Sequence, residues 1–204
     1  MVDHELPEVG GVLSRAQIDQ TIDAIASVQL RDGNIPWAPG HHTDPWNLVE
    51  AAMALDVGAR FAEADRAFEW LTRTQHDSGS WNAYYVGDVV KEHTLDTNVT
   101  SYVANGVWHH YLCTRDSGFL ESMFPVVERA IDFALDNQHP TGEIEWDADP
   151  ARVDGKGALL TGSSSIYSSL RCAIAMASEP NDSSQSGRSR PRRSAAAIAQ
   201  RSDE

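Results

Sequence analysis

The stretch LTRTQHDSGSW, residues 71–81, closes one helical pattern and opens a turn, and its plan recurs twice more in the 204-residue chain. Gln29, Gln75 and Gln138 each have a glycine four residues later (Gly33, Gly79, Gly142) and an apolar anchor six later (Ile35, Trp81, Ile144). Two copies add a tryptophan at plus eight, Trp37 and Trp146. A repeat on this scale decides architecture before any single motif does.

Working outward, each glutamine ends an amphipathic helix. Ser14 and Gln17 form a capping box ahead of Ile18, Ile22 and Ile25, which recur at helical spacing up to Gln29. Phe61 to Gln75 sets Ala64, Phe68 and Leu71 on one face and Glu63, Arg66, Glu69 and Arg73 around the rest; Phe119 to Gln138 repeats the design with Met123, Val127, Ile131 and Leu135. After each glycine turn comes a polar loop and a helix of another kind. Asn47 to Val57 is mostly apolar, Asn98 to Leu112 carries no Asp, Glu, Lys or Arg, and Ser165 to Ala177 holds only Arg171. A helix apolar nearly all round is covered on both sides, whereas a one-sided one lies at the surface. Two concentric rings of helices require this alternation. The sequence therefore predicts an all-α, α/α-toroid half barrel of three helical hairpins and about six helices; the competing reading is an α-solenoid of helical pairs.

Residues 1–13 read as an N-terminal extension, 14–177 as the toroid fragment and 178–204 as a disordered, low-complexity tail rich in Ser, Arg and Pro. The 41% hydrophobic content is enough for a real core. No apolar run approaches the roughly 20 residues that span a bilayer, and Met1 to Gly11 lacks the features of a signal peptide; the expected location is cytoplasmic. A net charge of -14 argues against nucleic acid or an anionic membrane as partner. Five tail arginines outnumber the tail's four acids, so the folded part is more acidic still. Cys113 and Cys172 sit within apolar helical patterns and read as buried structural thiols.

The glutamine turns, above all Leu71-x-x-x-Gln75 followed by Gly79-Ser80-Trp81, resemble the Gln-Trp repeat of the squalene/hopene cyclase and prenyltransferase superfamily, over about residues 14 to 177. The resemblance implies that the glutamine caps a helix end and ties inner to outer ring, with the tryptophan packed over it. It also implies an isoprenoid substrate, with magnesium if that substrate is a diphosphate. A complete toroid of this kind has six hairpins, against three here, which points to a truncated or frameshifted reading of a longer protein, or to a homodimer that completes the ring.

The residues opening the inner helices are the natural rim of a toroid cavity: His41 to Asn47, His93 to Asn98, and Thr161 to Ser165. Asp44 and Asp96 stand where each caps its helix or where both face the cavity as a carboxylate pair, with His42 and His93 as proton partners. Glu50, inside an apolar helix, needs a partner or a purpose if buried. Trp37, Trp46, Trp81, Tyr84, Tyr85 and Trp146 fall in or beside the rim loops, where aromatic walls suit a polyisoprenoid cation or a sugar face; some of them cover the turns instead. Of the adjacent His109 and His110, one faces inward.

Neither chemistry of the resembled superfamily is complete. No Asp has a Cys two residues later, as zinc-dependent prenyl transfer requires, and Asp147-Ala148-Asp149-Pro150 is only a partial match to the Asp-rich acid of cyclases. No metal-ligand set is read. Basic residues to hold a diphosphate are few, namely Arg31, Lys91, Arg152 and Lys156. Paired carboxylates with aromatics are closer to a glycosidase or sugar epimerase on an α/α barrel. Two readings thus compete as enzymes, isoprenoid-acting and carbohydrate-active, and a non-catalytic remnant or binding scaffold stands as a third.

Overall fold

The computed structural model describes residues 9–148 and 157–179. It contains α1 (Arg15–Val28), α2 (Pro45–Val57), α3 (Phe61–Thr74), β1 (Tyr84–Val86), β2 (Val89–Glu92), α4 (Thr97–Ser101), α5 (Val103–Thr114), α6 (Ser117–Leu135) and α7 (Leu160–Ser178). Counting α4 and α5 as one helix interrupted at Tyr102, these are the expected three hairpins. The outer helices are α1, α3 and α6; α2, α4/α5 and α7 lie side by side as the inner layer, with α5 packed on both α2 and α7.

Side-chain caps start α1, α2, α4 and α6. Ser14 and Gln17 make the reciprocal capping box of α1. Asp44 Oδ1 accepts from Asn47 N (2.8 Å), with Pro45 in the first turn of α2. Asp96 Oδ1 accepts from Val99 N (2.9 Å) ahead of α4, and Asp116 Oδ1 from Phe119 N (3.0 Å) ahead of α6. The core lies between the two layers. Phe68, Trp70 and Leu71 of α3 meet Leu48, Val49 and Leu55 of α2, while Val127 and Ile131 of α6 join Val103, Val107 and Ile166 from the inner helices.

The three glutamine turns share one geometry. The residue after each glutamine pairs its backbone across the glycine: Leu30 N to Asn34 O, His76 N to Ser80 O, and His139 N to Glu143 O. Gly33, Gly79 and Gly142 have φ of +94°, +94° and +102°, a region costly to any side chain. Each glutamine Nε2 donates to its own glycine carbonyl, at 2.9 to 3.1 Å. The anchors Ile35, Trp81 and Ile144 are buried as expected.

The direction of the tie differs from the one expected. Gln29 Nε2 also donates to Glu63 O (2.8 Å), and Arg66 Nη2 donates to Gln29 Oε1 (2.8 Å); Gln75 likewise donates to Val126 O (2.9 Å) and accepts from Arg129. Both receiving segments belong to the next outer helix. The turn therefore links outer helix to outer helix, not inner ring to outer ring.

Further differences have local causes. The loop after α3 holds an antiparallel hairpin, Val86 opposite Val89, across a two-residue Gly87-Asp88 connection in which Gly87 has φ +56°. Helix α7 begins at Leu160, so Thr161 to Ser165 lie within it and not in a loop before it. Cys113 and Cys172 are only half-buried; burial pushes both thiols up. The N-terminal extension as far as residue 8 and the tail beyond Glu179 lie outside the described residues.

Candidate active site

The loops that open α2 and α4 converge with the β hairpin and the loop after α6 on one groove of ≈360 Å³ at the rim of the inner layer. Its walls include Trp37, Asp44, Trp46, Tyr84, Asp96 and Trp146, six of the eleven residues singled out from sequence, together with Asn47, Ala83, Glu92, Thr94, Asn98 and Val99.

Asp44 is 6% exposed and accepts three hydrogen bonds: from Asn47 N, from Asn47 Nδ2 (2.8 Å) and from Trp37 Nε1 (2.6 Å). Trp37, 56% exposed, thus offers its ring to the groove while its N–H holds the carboxylate behind it. Asp96 caps α4 from the opposite wall. Burial raises its pKa, the Val99 and Asn98 N–H groups lower it, and the Asp147 carboxylate raises it again, the net being upward. Backbone pairing fixes this wall: Asp96 bridges Asp147, Thr97 N donates to Trp146 O (3.0 Å), Thr97 Oγ1 to Glu145 O (2.6 Å) and Ala148 N to Leu95 O (2.9 Å). The same pairing brings Trp146 from the loop after α6 into the groove.

The other candidates fall elsewhere. Trp81 is buried and donates from Nε1 to Leu71 O (3.0 Å); it covers its own turn. Tyr85 is buried edge-on to Trp70 at 5.2 Å, its hydroxyl accepts from Asn82 N (2.9 Å), and its backbone pairs with Thr43. Both are structural, because each faces the space between layers. His42 is clasped between the rings of Trp37 (4.5 Å) and Tyr84 (4.3 Å), and its Nε2 is buried without a hydrogen-bond partner among the described residues. His93 is exposed. Neither hydrogen-bonds to Asp44 or Asp96 among the described residues, so the expected proton-partner role has no contact behind it.

Glu50 is exposed, not buried in an apolar helix, because α2 turns that face to the concave side of the half barrel. It accepts from Tyr102 Oη; burial and then Glu50 push this hydroxyl above its ordinary range. Tyr102 stacks on Trp46 (3.7 Å, 10°), so Glu50 steadies one groove wall from behind. Asp147 is fully buried behind Asp96, while Asp149, Pro150, Arg152 and Lys156 lie outside the described residues.

Sequence reasoning missed Glu92, a third carboxylate at the groove, which the hairpin carries opposite Tyr84. The paired histidines form a separate, buried network at the far end of the inner helices. His110, 2% exposed, meets Asp56 Oδ1 through Nδ1 (2.7 Å) and Asp65 Oδ1 through Nε2 (3.3 Å), with Phe61, Phe68 and Phe119 around it. His109 faces the concave side and also reaches Asp56 (3.3 Å).

No protein-family model matches the chain. It is 49% identical over 172 residues, 84% of its length, to the MMP endo-(1,4)-3-O-methyl-alpha-D-mannosidase of Mycolicibacterium hassiacum, and covers 48% of that protein. It is 26% identical over 161 residues, 74% of its length, to an uncharacterized glycosyl hydrolase of Methanocaldococcus jannaschii, and covers 25% of it. The chain thus spans about half the length, or less, of the curated relatives it matches. Among solved structures, a rhamnosidase from Klebsiella oxytoca with rhamnose bound superposes with a TM-score of 0.61 at 15% identity, over 93% of this chain and 37% of the other, a likeness of fold. These relatives correct the reading drawn from the Gln-Trp resemblance: the similarity is to glycoside hydrolases and an α/α-barrel glycosidase fold, not to prenyltransferases or terpenoid cyclases.

Proposed function

We propose that this chain carries the rim of a glycoside hydrolase site that cleaves neutral α-mannoside chains, and that it works in the cytoplasm. The observation that carries the proposal is the groove itself, where Asp44 and Asp96, which open adjacent inner helices, both line the walls together with Trp37, Trp46, Tyr84 and Trp146. Glycoside hydrolysis asks for two carboxyl groups flanking the scissile bond, one protonated and one ionised. Asp96, whose pKa burial raises, suits the general acid that gives its proton to the leaving oxygen. Asp44, held by three donors, serves as the carboxylate that assists water at the anomeric carbon. Asp96 gives its proton to the departing sugar oxygen, the hydroxyl of water bonds to the anomeric carbon as the glycosidic bond breaks, and water's other proton goes to Asp44, from which solvent returns it to restore Asp96. Aromatic faces supply sugar stacking, and the acidic wall, Glu92 included, disfavours anionic substrates. The mannosidase relative supports the sugar and linkage, an α-(1,4)-linked mannose chain with 3-O-methyl groups.

The test is hydrolysis of α-(1,4)-linked 3-O-methylmannose oligosaccharides, followed by chromatography of the products, with Asp96→Asn as control. Asparagine is also a good N-cap, so the helix start survives while the proton donor is lost; a fall of about 10²–10⁴ in rate is expected. Absence of both cleavage and thermal stabilisation by the oligosaccharide defeats the proposal. Stabilisation without cleavage by the wild type supports a binding scaffold instead.

A further inference from the structure

A second groove, of ≈490 Å³, lies on the concave side of the inner layer between α2, α5 and α7, and Trp46 belongs to it as well as to the rim groove. The two grooves are therefore neighbours across one indole ring, which is stacked on Tyr102 (3.7 Å, 10°). From there the concave groove follows α2 as far as Met53 and α5 as far as Leu112, a descent of about 10–15 Å at the helical rise per residue.

The two differ in chemistry. The rim groove carries three carboxylates, Asp44, Glu92 and Asp96. Among the described residues the concave groove is lined by no Asp, Glu, Lys or Arg. Its walls are the rings of Trp46, Tyr102 and Trp108, the apolar ends of Met53 and Leu112, and a polar strip on α5 and α7. Part of that strip is satisfied within the protein: Asn105 Oδ1 accepts from Ser168 Oγ (3.2 Å) and Cys172 Sγ (3.0 Å), which ties α5 to α7. Ser165 Oγ, by contrast, is buried with no hydrogen-bond partner among the described residues. A buried hydroxyl left unpaired is costly, and a ligand hydroxyl relieves it. Without a charged wall the groove selects no ion. It favours a neutral ligand that is apolar on one side and hydroxylated on the other.

We infer that the concave groove is a sugar subsite that reads O-methyl groups, taking units of the same methylmannose chain whose scissile bond lies in the rim groove. The inference rests on the glycosidase reading of that groove. Continuity at Trp46 lets one chain occupy both, and the chemistry of the walls divides the work. Cleavage belongs among the carboxylates, methyl ethers against Met53, Trp108 and Leu112, and a free sugar hydroxyl at Ser165 Oγ. A methyl ether cannot donate a hydrogen bond, so methylation forfeits a contact with a carboxylate wall and adds buried apolar area at an apolar one. Each methyl group buried should raise affinity about fourfold, the value of one CH2 removed from water.

The experiment titrates the full chain, by calorimetry, with two sulfur-linked and so uncleavable α-(1,4)-mannose tetrasaccharides, one carrying 3-O-methyl groups and one without them. The methylated probe should bind about fourfold more tightly, or better. Leu112→Gln or Met53→Gln sets an amide in place of an apolar end, and at least one of them should cut that ratio by about half or more. The ratio is taken within each variant, so it does not depend on the folded fraction, and Leu112, 41% exposed, has room for the change. Equal binding of the two probes by the wild type overturns the inference and leaves the glycosidase reading standing. So does a ratio unchanged in both variants, which would make the concave groove a packing surface. Binding of neither probe overturns the glycosidase reading and this inference with it.

Discussion

Substituting alanine at Gly79 and at Gly142 separates what the turn costs from what docking contributes. Both residues have φ near +100°, so both variants bear the conformational penalty of an L side chain there, about 1–2 kcal/mol. At Gly142 that is the whole cost, because the new methyl group enters open space. At Gly79 the methyl would lie 2.2 Å from Arg129 O and 2.6 Å from its carbonyl carbon, so α6 must retreat. Retreat breaks the Gln75 to Val126 hydrogen bond and the Arg129 to Gln75 bond, about 1 and about 1.5–3 kcal/mol. It also loosens the contact of Thr72 with Met123. The expected loss is about 1–2 kcal/mol for Gly142→Ala and about 3.5–6 kcal/mol for Gly79→Ala, read by equilibrium urea unfolding with the slope held common. Equal losses at the two sites would refute the claim that the turn's function is to receive the next outer helix.

Three other expectations follow from the site and the core. Asp96 has a raised native pKa, so its contribution to stability is fully present below the unfolded pKa and is lost as pH rises through the native value; Asp96→Asn should flatten that dependence in melts between pH 4 and 8, and in the wild type the alkaline limb of the hydrolysis profile should track the same titration. Trp37→Ala removes a sugar platform and a donor to Asp44 together, so KM should rise and kcat fall, with unfolding shifted by about 1 kcal/mol, because the ring is largely exposed. His110→Ala leaves Asp56, 1% exposed, without its closest partner; depriving a buried acceptor of its hydrogen bond costs about 1–3 kcal/mol, and His109→Ala should cost less, since His110 remains.

The fold was legible because its rules are local and repeated. A glycine forced to positive φ, a capping box and alternating charged and uncharged helices each mark sequence directly, so the three hairpins and their layers could be drawn from residues alone. The hairpin of β1 and β2 escaped because strands of three and four residues leave too short an alternation, and the Gly87-Asp88 turn between valines was the one signal available. The reach of Gln29 to Glu63 escaped too, since sequence shows where a side chain begins and not across which seam it extends. The places of Asp44 and Asp96 as helix caps on the groove were readable because such positions open the inner helices at the rim. Buried Trp81 and exposed Trp37 look alike in sequence, and only packing separates them. The exposure of Glu50 was hidden for the converse reason: apolar neighbours along a helix do not reveal that one face lines an open concavity.

The same turn whose resemblance pointed to prenyl transfer also spaces the aromatic walls of the groove. None of its own contacts touches the groove; they are glutamine, arginine and backbone, which is why the motif identifies fold and not reaction. Eight residues after each glutamine, however, the chain reaches the groove wall, at Trp37, Ala83 and Trp146. The middle repeat puts a small residue, Ala83, on a groove that the other two line with tryptophan. Ala83→Trp would restore the repeat's aromatic there and fill the ≈360 Å³ groove. Ala83 is half-buried at the rim, so the larger side chain has solvent to lean into and should change stability by about 0.5 kcal/mol or less. Stabilisation by the methylmannose oligosaccharide should vanish, and hydrolysis should fall with it. If the variant still binds the sugar as tightly as the wild type, the groove between Asp44 and Asp96 is not where the sugar lies, and the assignment of those two carboxylates falls as well.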